Sequence, residues 1–273
     1  MLTNSTATPA SPALLARLRT IAHLALDLDG TIYRGGTPFP FTRPFLDRMR
    51  ELGIGCTFLT NNPSKSAADY LAHLARLGLN ATPTDLYTSA LATIDWLRTH
   101  RPDLRRLFAL GTPSMLAEFS AAGFTLTRDD ATDEPDAVLV GFDLTLTYAR
   151  ACRAAWWIKR GKFFVATNPD RVCPTDQPTV LVDCGSLCAM LEMAAGRAPD
   201  RVFGKPDPAM LDGLRARHAL RPEQIALVGD RLYTDILMAH RAGALGVLVL
   251  TGEATAADAA RADPPPHLTV PSL

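Results

Sequence analysis

The apolar run Leu24-Ala25-Leu26 leads into two carboxylates, Asp27 and Asp29, followed at once by Gly30 and Thr31. A run that short reads as a buried strand, and alternation along a strand sends side chains 27 and 29 to one face. Two like charges about 4 Å apart across an effective dielectric of about 20 repel by roughly 4 kcal/mol. A fold keeps such a pair only where a cation or a shared proton lies between its members. Glycine and a β-branched residue then turn the chain and leave the carboxylates at the carboxyl end of the strand, where open α/β sheets bind ligands. Taken alone, the same residues also describe an Asp-rich turn.

The rest of the chain alternates short apolar runs with amphipathic stretches, the pattern of an α/β fold with a mostly parallel sheet. Strands are expected at Leu24–Leu28, Gly55–Thr60, Leu86–Thr88, Ile225–Val228 and Leu245–Leu250. A helix is expected over Ser64–Leu77, with Ser64 as N-cap, Gly78 as stop and Ala67, Leu71, Leu74 and Leu77 on its buried face. Another runs over Tyr233–Ala242 and stops at Gly243. Between about residue 101 and about residue 190 the alternation has its own set of elements. Runs at Leu107–Leu110, Ala137–Gly141, Phe163–Ala166 and Thr179–Val182 accompany helices at Pro113–Ala122 and Tyr148–Arg160. This reads as a second small α/β unit inserted into the first, giving a discontinuous core of 13–100 and 191–273 and an insert of 101–190. Residues 1–12 read as a flexible tail. Trp156 and Trp157 read as core or an interface patch rather than a ligand platform.

Lys plus Arg and Asp plus Glu number 28 each, so no net charge pulls the chain toward nucleic acid or an anionic membrane. No apolar run approaches the roughly 18 residues of a membrane span. Five cysteines without a paired C-x-x-C pattern argue against zinc and for reduced thiols in a cytoplasmic protein. Cys184 and Cys188, four apart on one helix face, read as packing, with a redox thiol as the alternative.

Three further signals join Asp27 and Asp29. Phe58-Leu59-Thr60-Asn61-Asn62 is a strand ending in a hydroxyl and two amides before a helix start, the makings of a phosphate cradle or of a plain cap. Gly204-Lys205-Pro206 holds a lysine ahead of a helix, and Val228-Gly229-Asp230 runs from a strand into Thr234-Asp235-Ile236.

These four blocks, DLDGTIY (27–33), FLTNNPSKS (58–66), GKPDPAML (204–211) and VGDRLYTDI (228–236), resemble the haloacid dehalogenase superfamily, and within it the branch of NagD-like, p-nitrophenyl phosphatase and phosphoglycolate phosphatase enzymes. The resemblance spans about residues 22–252 and is looser in the insert. It implies a Rossmann-like parallel-sheet core with an inserted α/β cap of the C2 type.

The resemblance further implies that Asp27 is the nucleophile attacking phosphorus and Asp29 the general acid and then base. It assigns Thr60, Asn61 and Asn62 to the phosphoryl group and Lys205 to neutralising the nucleophile and phosphate. Asp27, the backbone carbonyl of Asp29 and Asp230 would hold a metal, with Asp235 in its outer shell; the alternative for Asp235 is a helix-dipole or surface ion-pair residue. An all-oxygen site of this kind suits Mg²⁺. The function implied is Mg²⁺-dependent hydrolysis of a small phosphorylated metabolite (sugar phosphate, nucleoside monophosphate, phosphoglycolate or glycerol phosphate) through an aspartyl-phosphate, with homodimerisation through the cap. The alternatives are a phosphotransferase using the same intermediate, a dehalogenase, and a catalytically silent binding or regulatory protein. A dehalogenase has no use for Asp29 or a Mg²⁺ site, and a silent protein usually lacks the nucleophile or the metal carboxylate.

Two departures stand out. Tyr233 occupies a position that relatives often give to a small acidic or amide residue, and packing is its expected role. In the insert, Val182-Asp183-Cys184-Gly185-Ser186 replaces a Pro-Gly-x-Gly run. With Asn168-Pro169-Asp170 it is expected to form the loop facing the active site and to set the choice of leaving group.

Overall fold

The structure, a computed structural model, describes residues 11–173 and 177–273. Among these, the central feature is a six-stranded parallel sheet. Its order is Leu268–Val270, Leu245–Val249, Ile225–Gly229, His23–Asp27, Gly55–Thr60 and Leu86–Thr88. Strands covered on both faces carry near-continuous apolar runs rather than alternation. Ile225–Gly229 and Leu245–Val249 are buried throughout, as are His23, Leu24, Ala25 and Leu26. The expected strands fall within one residue of these limits at either end. The first ends at Asp27, not Leu28, because the chain turns there: the Leu28 carbonyl accepts from the N–H groups of Thr31, Ile32 and Tyr33.

The helix expected from Ser64 begins later, at Ala67. Ser66 is the N-cap, accepting from the Asp69 N–H while Asp69 returns the bond. This reciprocal pairing satisfies two orphan donors that Ser64 cannot reach. Tyr70 and Leu74 are its fully buried residues, with Ala67, Leu71 and Leu77 half-buried against the same cluster. The helix expected over Tyr233–Ala242 divides into a π-helical turn at Leu232–Ile236 and an α-helix at Leu237–Ala242, ended by Gly243 in the left-handed region. Ser11 caps a helix over Pro12–Leu18, so part of the expected tail is helical; residues 1–10 lie outside the described residues.

A second parallel sheet has the order Arg201–Val202, Phe163–Ala166, Ala137–Val140, Arg106–Leu110 and Thr125–Leu126. It extends beyond the insert limits expected from sequence. Arg201–Val202 forms its edge, and the helix Ser89–His100 buries Ala90, Ile94 and Leu97 in the cluster beneath it. Residues Leu181–Val182 pair instead with Val172–Cys173 in a small antiparallel ribbon. Trp157 is core, 1% exposed, whereas Trp156 stays on the surface beneath the guanidinium groups of Arg153 and Arg160. Cys184 and Cys188 are both buried, their sulfurs 3.9 Å apart. No helix of the described residues is long and apolar enough to cross a membrane.

Candidate active site

The His23–Asp27 strand lies between Ile225–Gly229 and Gly55–Thr60, and all three run parallel. Their carboxyl ends therefore deliver Asp27, Thr60 and Asp230 to one edge of the sheet. The chain returning from the second sheet brings Lys205 to the same edge. Lys205 Nζ contacts Asp27 Oδ1 and lies 2.7 Å from Asp235 Oδ1. Lys205 and Asp235 are buried, 4% and 1% exposed, and Asp27 is slightly more open at 13%.

Asn61 holds the lysine in place. Its carboxamide accepts from the Lys205 N–H at 2.6 Å and donates to the Lys205 carbonyl at 3.0 Å. The Asn61 side chain thus serves as a clamp between two loops. Gly204 sits at φ +81°, where a Cβ would press on Asn61 Oδ1 at 2.9 Å. Thr60 Oγ1 accepts from the Asn62 N–H at 3.2 Å, and Asn62 Oδ1 accepts from the Ser64 N–H at 2.9 Å. The second amide therefore shapes the turn.

Asp27, Asp230 and Asp235 each offer a carboxylate oxygen, all within 4.8 Å of one another. Lys205 supplies one positive charge against these three negative ones. Burial pushes the Asp27 carboxyl well up, and Asp235 and Asp230 add to the rise against the opposing Lys205. Burial also disfavours the Lys205 charge, but Asp235 and Asp27 outweigh it and hold the ammonium protonated. One oxygen of Asp230 accepts from the Glu253 N–H at 2.7 Å, while the other, Oδ1, is buried with no partner among the described residues. Gly30 and Gly252 border this carboxylate so closely that a Cβ at either would collide with Asp230 Oδ2. An excess of buried negative charge, an unpartnered oxygen and an all-carboxylate donor set fit a hard divalent cation. Asp235 belongs to this cluster as closely as Asp27 does, whereas the Asp29 carboxylate stands outside it.

Asp29 is exposed to the cleft. Flanking protein nevertheless raises its carboxyl above the ordinary range, against the opposing charges of Arg231 and Lys65. A cavity of about 110 Å³ opens here, bordered by Asp27, Asp29, Thr60, Asn61, Asn62 and Lys205 from the first sheet and the chain returning to it. The opposite wall holds Asp170, Cys173 and Asp183 from the inserted unit. The loops 168–170 and 182–186 therefore face the site, as their sequence suggested.

Arg231 and Thr234 also line the cavity, and the sequence reading gave them no role. Adjacency to Asp230 was the available signal for Arg231. Tyr233 is not the packing residue expected: it is half exposed, and its hydroxyl donates to Glu253 Oε2 at 3.1 Å. The same oxygen pairs with Arg231 Nε at 3.0 Å. Tyr233 thus steadies Glu253, and Glu253 engages the guanidinium.

Comparison with known proteins agrees with this geometry. The family model described as haloacid dehalogenase-like hydrolase matches residues 24–125, and a HAD-hydrolase-like model matches residues 202–273. Ribonucleotide monophosphatase NagD of Escherichia coli strain K12 is 34% identical over 233 residues, 85% of this chain and 89% of that protein. The crystal structure of a 4-nitrophenylphosphatase from Thermotoga maritima superposes with a TM-score of 0.87 at 36% identity, covering 94% of this chain and 96% of that one. A glycerol phosphate phosphatase from Mycobacterium tuberculosis, solved with magnesium, gives a TM-score of 0.85 at 36% identity, covering 93% and 76%.

Proposed function

The chain belongs to the haloacid dehalogenase-like hydrolases, in their NagD-like phosphatase branch, and on that premise we propose that it is a Mg²⁺-dependent phosphomonoesterase acting on a small phosphorylated metabolite. The observation that carries the reading is Asp27 at a strand end, held by Lys205 and grouped with Asp230 and Asp235 beside a cavity that Asp29 borders. We assign the inserted cap to about residues 101–202, the span whose strands form the second sheet.

In the first step an oxygen of Asp27 forms a bond to phosphorus as the bond to the leaving oxygen breaks. Asp29 donates its proton to that oxygen, so an alcohol departs and Asp27 carries the phosphoryl group. A raised carboxyl at Asp29 suits this role, since it must arrive protonated. In the second step Asp29, now ionised, takes a proton from water. The water oxygen bonds to phosphorus as the bond from phosphorus to the Asp27 oxygen breaks, inorganic phosphate leaves, and both aspartates return to their starting states. Splitting the reaction at a covalent intermediate replaces one difficult displacement with two easier ones.

Lys205 favours the ionised form of Asp27 against its burial and offsets charge on the phosphoryl oxygens, while Thr60 and Asn61 orient them. Asp27, Asp230 and Asp235 would hold Mg²⁺, which supplies charge neutralisation and in-line alignment at phosphorus when bound. The decisive experiment is phosphate release from a panel of phosphomonoesters, with Mg²⁺ and with EDTA, beside Asp27→Asn. Mg²⁺-dependent release that the variant abolishes is the expected result. Substantial turnover by folded Asp27→Asn would refute Asp27 as nucleophile.

A further inference from the structure

Besides Asp27 and its Lys205 partner, the charged residues lining the cavity, among those described, are Asp29, Asp170, Asp183 and Arg231. Arg231 lies 3.0 Å from Glu253, and three carboxylates line the cavity against its one guanidinium, so the side of the site left for the leaving group is acidic. Asp183 lies in the segment that departs from the Pro-Gly-x-Gly pattern, and it is only 2% exposed. Its Oδ1 accepts from Asn168 Nδ2 at 3.1 Å and from the Cys184 N–H at 2.6 Å. No described residue donates to its Oδ2. A buried carboxylate fixed at one oxygen, with acceptor capacity to spare beside a reaction cavity, is complementary to hydroxyl donors and repels anions.

The geometry points to Asp183, with Asp170 held against Asn61 at 3.3 Å, as the determinant of leaving-group choice. It selects phosphate monoesters of small, uncharged polyols, whose free hydroxyls donate to these carboxylates, and excludes esters whose leaving group carries a carboxylate or a second phosphate. This inference rests on the phosphatase reading above and names the substrate class for the same site.

The test uses the full chain with Mg²⁺ at pH 8 and compares kcat/KM for glycerol 3-phosphate, phosphoglycolate and p-nitrophenyl phosphate. A like charge about 6 Å away across an effective dielectric of about 20 corresponds to roughly 100-fold discrimination. Wild type is therefore expected to prefer glycerol 3-phosphate over phosphoglycolate by about that factor. Asp183→Asn removes the charge but keeps the oxygen that caps the helix, and it is expected to narrow the ratio by about 10-fold or more. Damage to the fold alone lowers both rates together and leaves the ratio standing, which would overturn the assignment to Asp183. Equal turnover of the two esters by wild type would overturn the inference without any variant. Failure to release phosphate from all three esters would remove the phosphatase reading itself, and this inference with it.

Discussion

Lys205→Met offers the sharpest test of how the buried charges are held. The ammonium lies 2.7 Å from Asp235 Oδ1 and contacts Asp27 Oδ1, both in surroundings nearly closed to water. At that separation and an effective dielectric of about 20, one pair is worth about 6 kcal/mol before the cost of burying the ammonium is charged against it. Methionine keeps most of the stem volume and leaves two carboxylates facing each other uncompensated. Removing one member of a buried ion pair costs about 3–5 kcal/mol net. At about 2–4 °C per kcal/mol for a chain this size, that is a fall in Tm of about 10 °C. Burial already pushes the Asp27 carboxyl up to about 8 against the opposing Lys205, and loss of that cation raises it further, so its contribution to stability is present at low pH and lost as pH rises through the folded value. The gap between wild type and Lys205→Met, measured by urea unfolding in EDTA, should therefore widen as pH rises through about 8, where Asp27 ionises in the wild type and not in the variant. Phosphatase activity should fall by about 100-fold or more, as when a preorganised charge partner is removed. A variant within about 1 kcal/mol of wild type, or a gap that closes as pH rises, would show that Lys205 does not compensate these carboxylates.

Asp230→Asn removes a charge from the carboxylate with the unpartnered oxygen. Wild-type Tm should rise with Mg²⁺ in the absence of substrate, by the equivalent of about 2.7 kcal/mol at a hundredfold excess over Kd. The variant should lose most of that rise; an undiminished shift would place the cation elsewhere. Trp157→Ala should cost about 3–5 kcal/mol in urea unfolding, since it opens a cavity in a closed core. Trp156→Ala should cost under about 1 kcal/mol, because its contacts are surface cation–π pairs. Burial, with the His218 charge, pulls the His23 imidazole down to about 4. A depressed folded pKa places its contribution above pH 6.5, so about 3 kcal/mol should disappear as pH falls from 6.5 to 4. A His23→Gln variant, followed by urea midpoints across this range, should show a shallower pH dependence than wild type, and equal slopes would count against it.

Much of the fold is legible locally. The strands ending at Asp27, Thr60 and Gly229 sit in apolar runs that a two-sided parallel sheet demands, and Gly243 stops its helix where expected. The errors have local physical causes too. Ser64 and Ser66 are both competent caps, and only the reply from Asp69 decides between them. The unit boundary is harder to see, because Ser89–His100 is apolar on a face that fits either sheet. That helix buries Ala90, Ile94 and Leu97 in one cluster with Leu107, Val165 and Phe203, and Ala92 in another with Tyr87, Met210 and Leu214, so it packs on both.

At the site, residue types and their order are enough to gather Asp27, Asp29, Thr60, Lys205 and Asp230. Strand ends in a parallel sheet converge on one edge whatever the intervening chain does. Three things depend on contacts between segments far apart in the chain. Asn61 becomes a clamp because Lys205, 144 residues away, presents its backbone to the carboxamide. Asp235 joins Asp27 and Asp230 through the π-helical turn that begins at Leu232. Asp183 meets the reaction cavity only because the second sheet sets the start of its helix against the first. Local sequence determines strand, helix and the chemistry each end can carry. Which carboxylate faces which cation is decided by tertiary packing, since pairing energies depend on separation and burial that no local run contains.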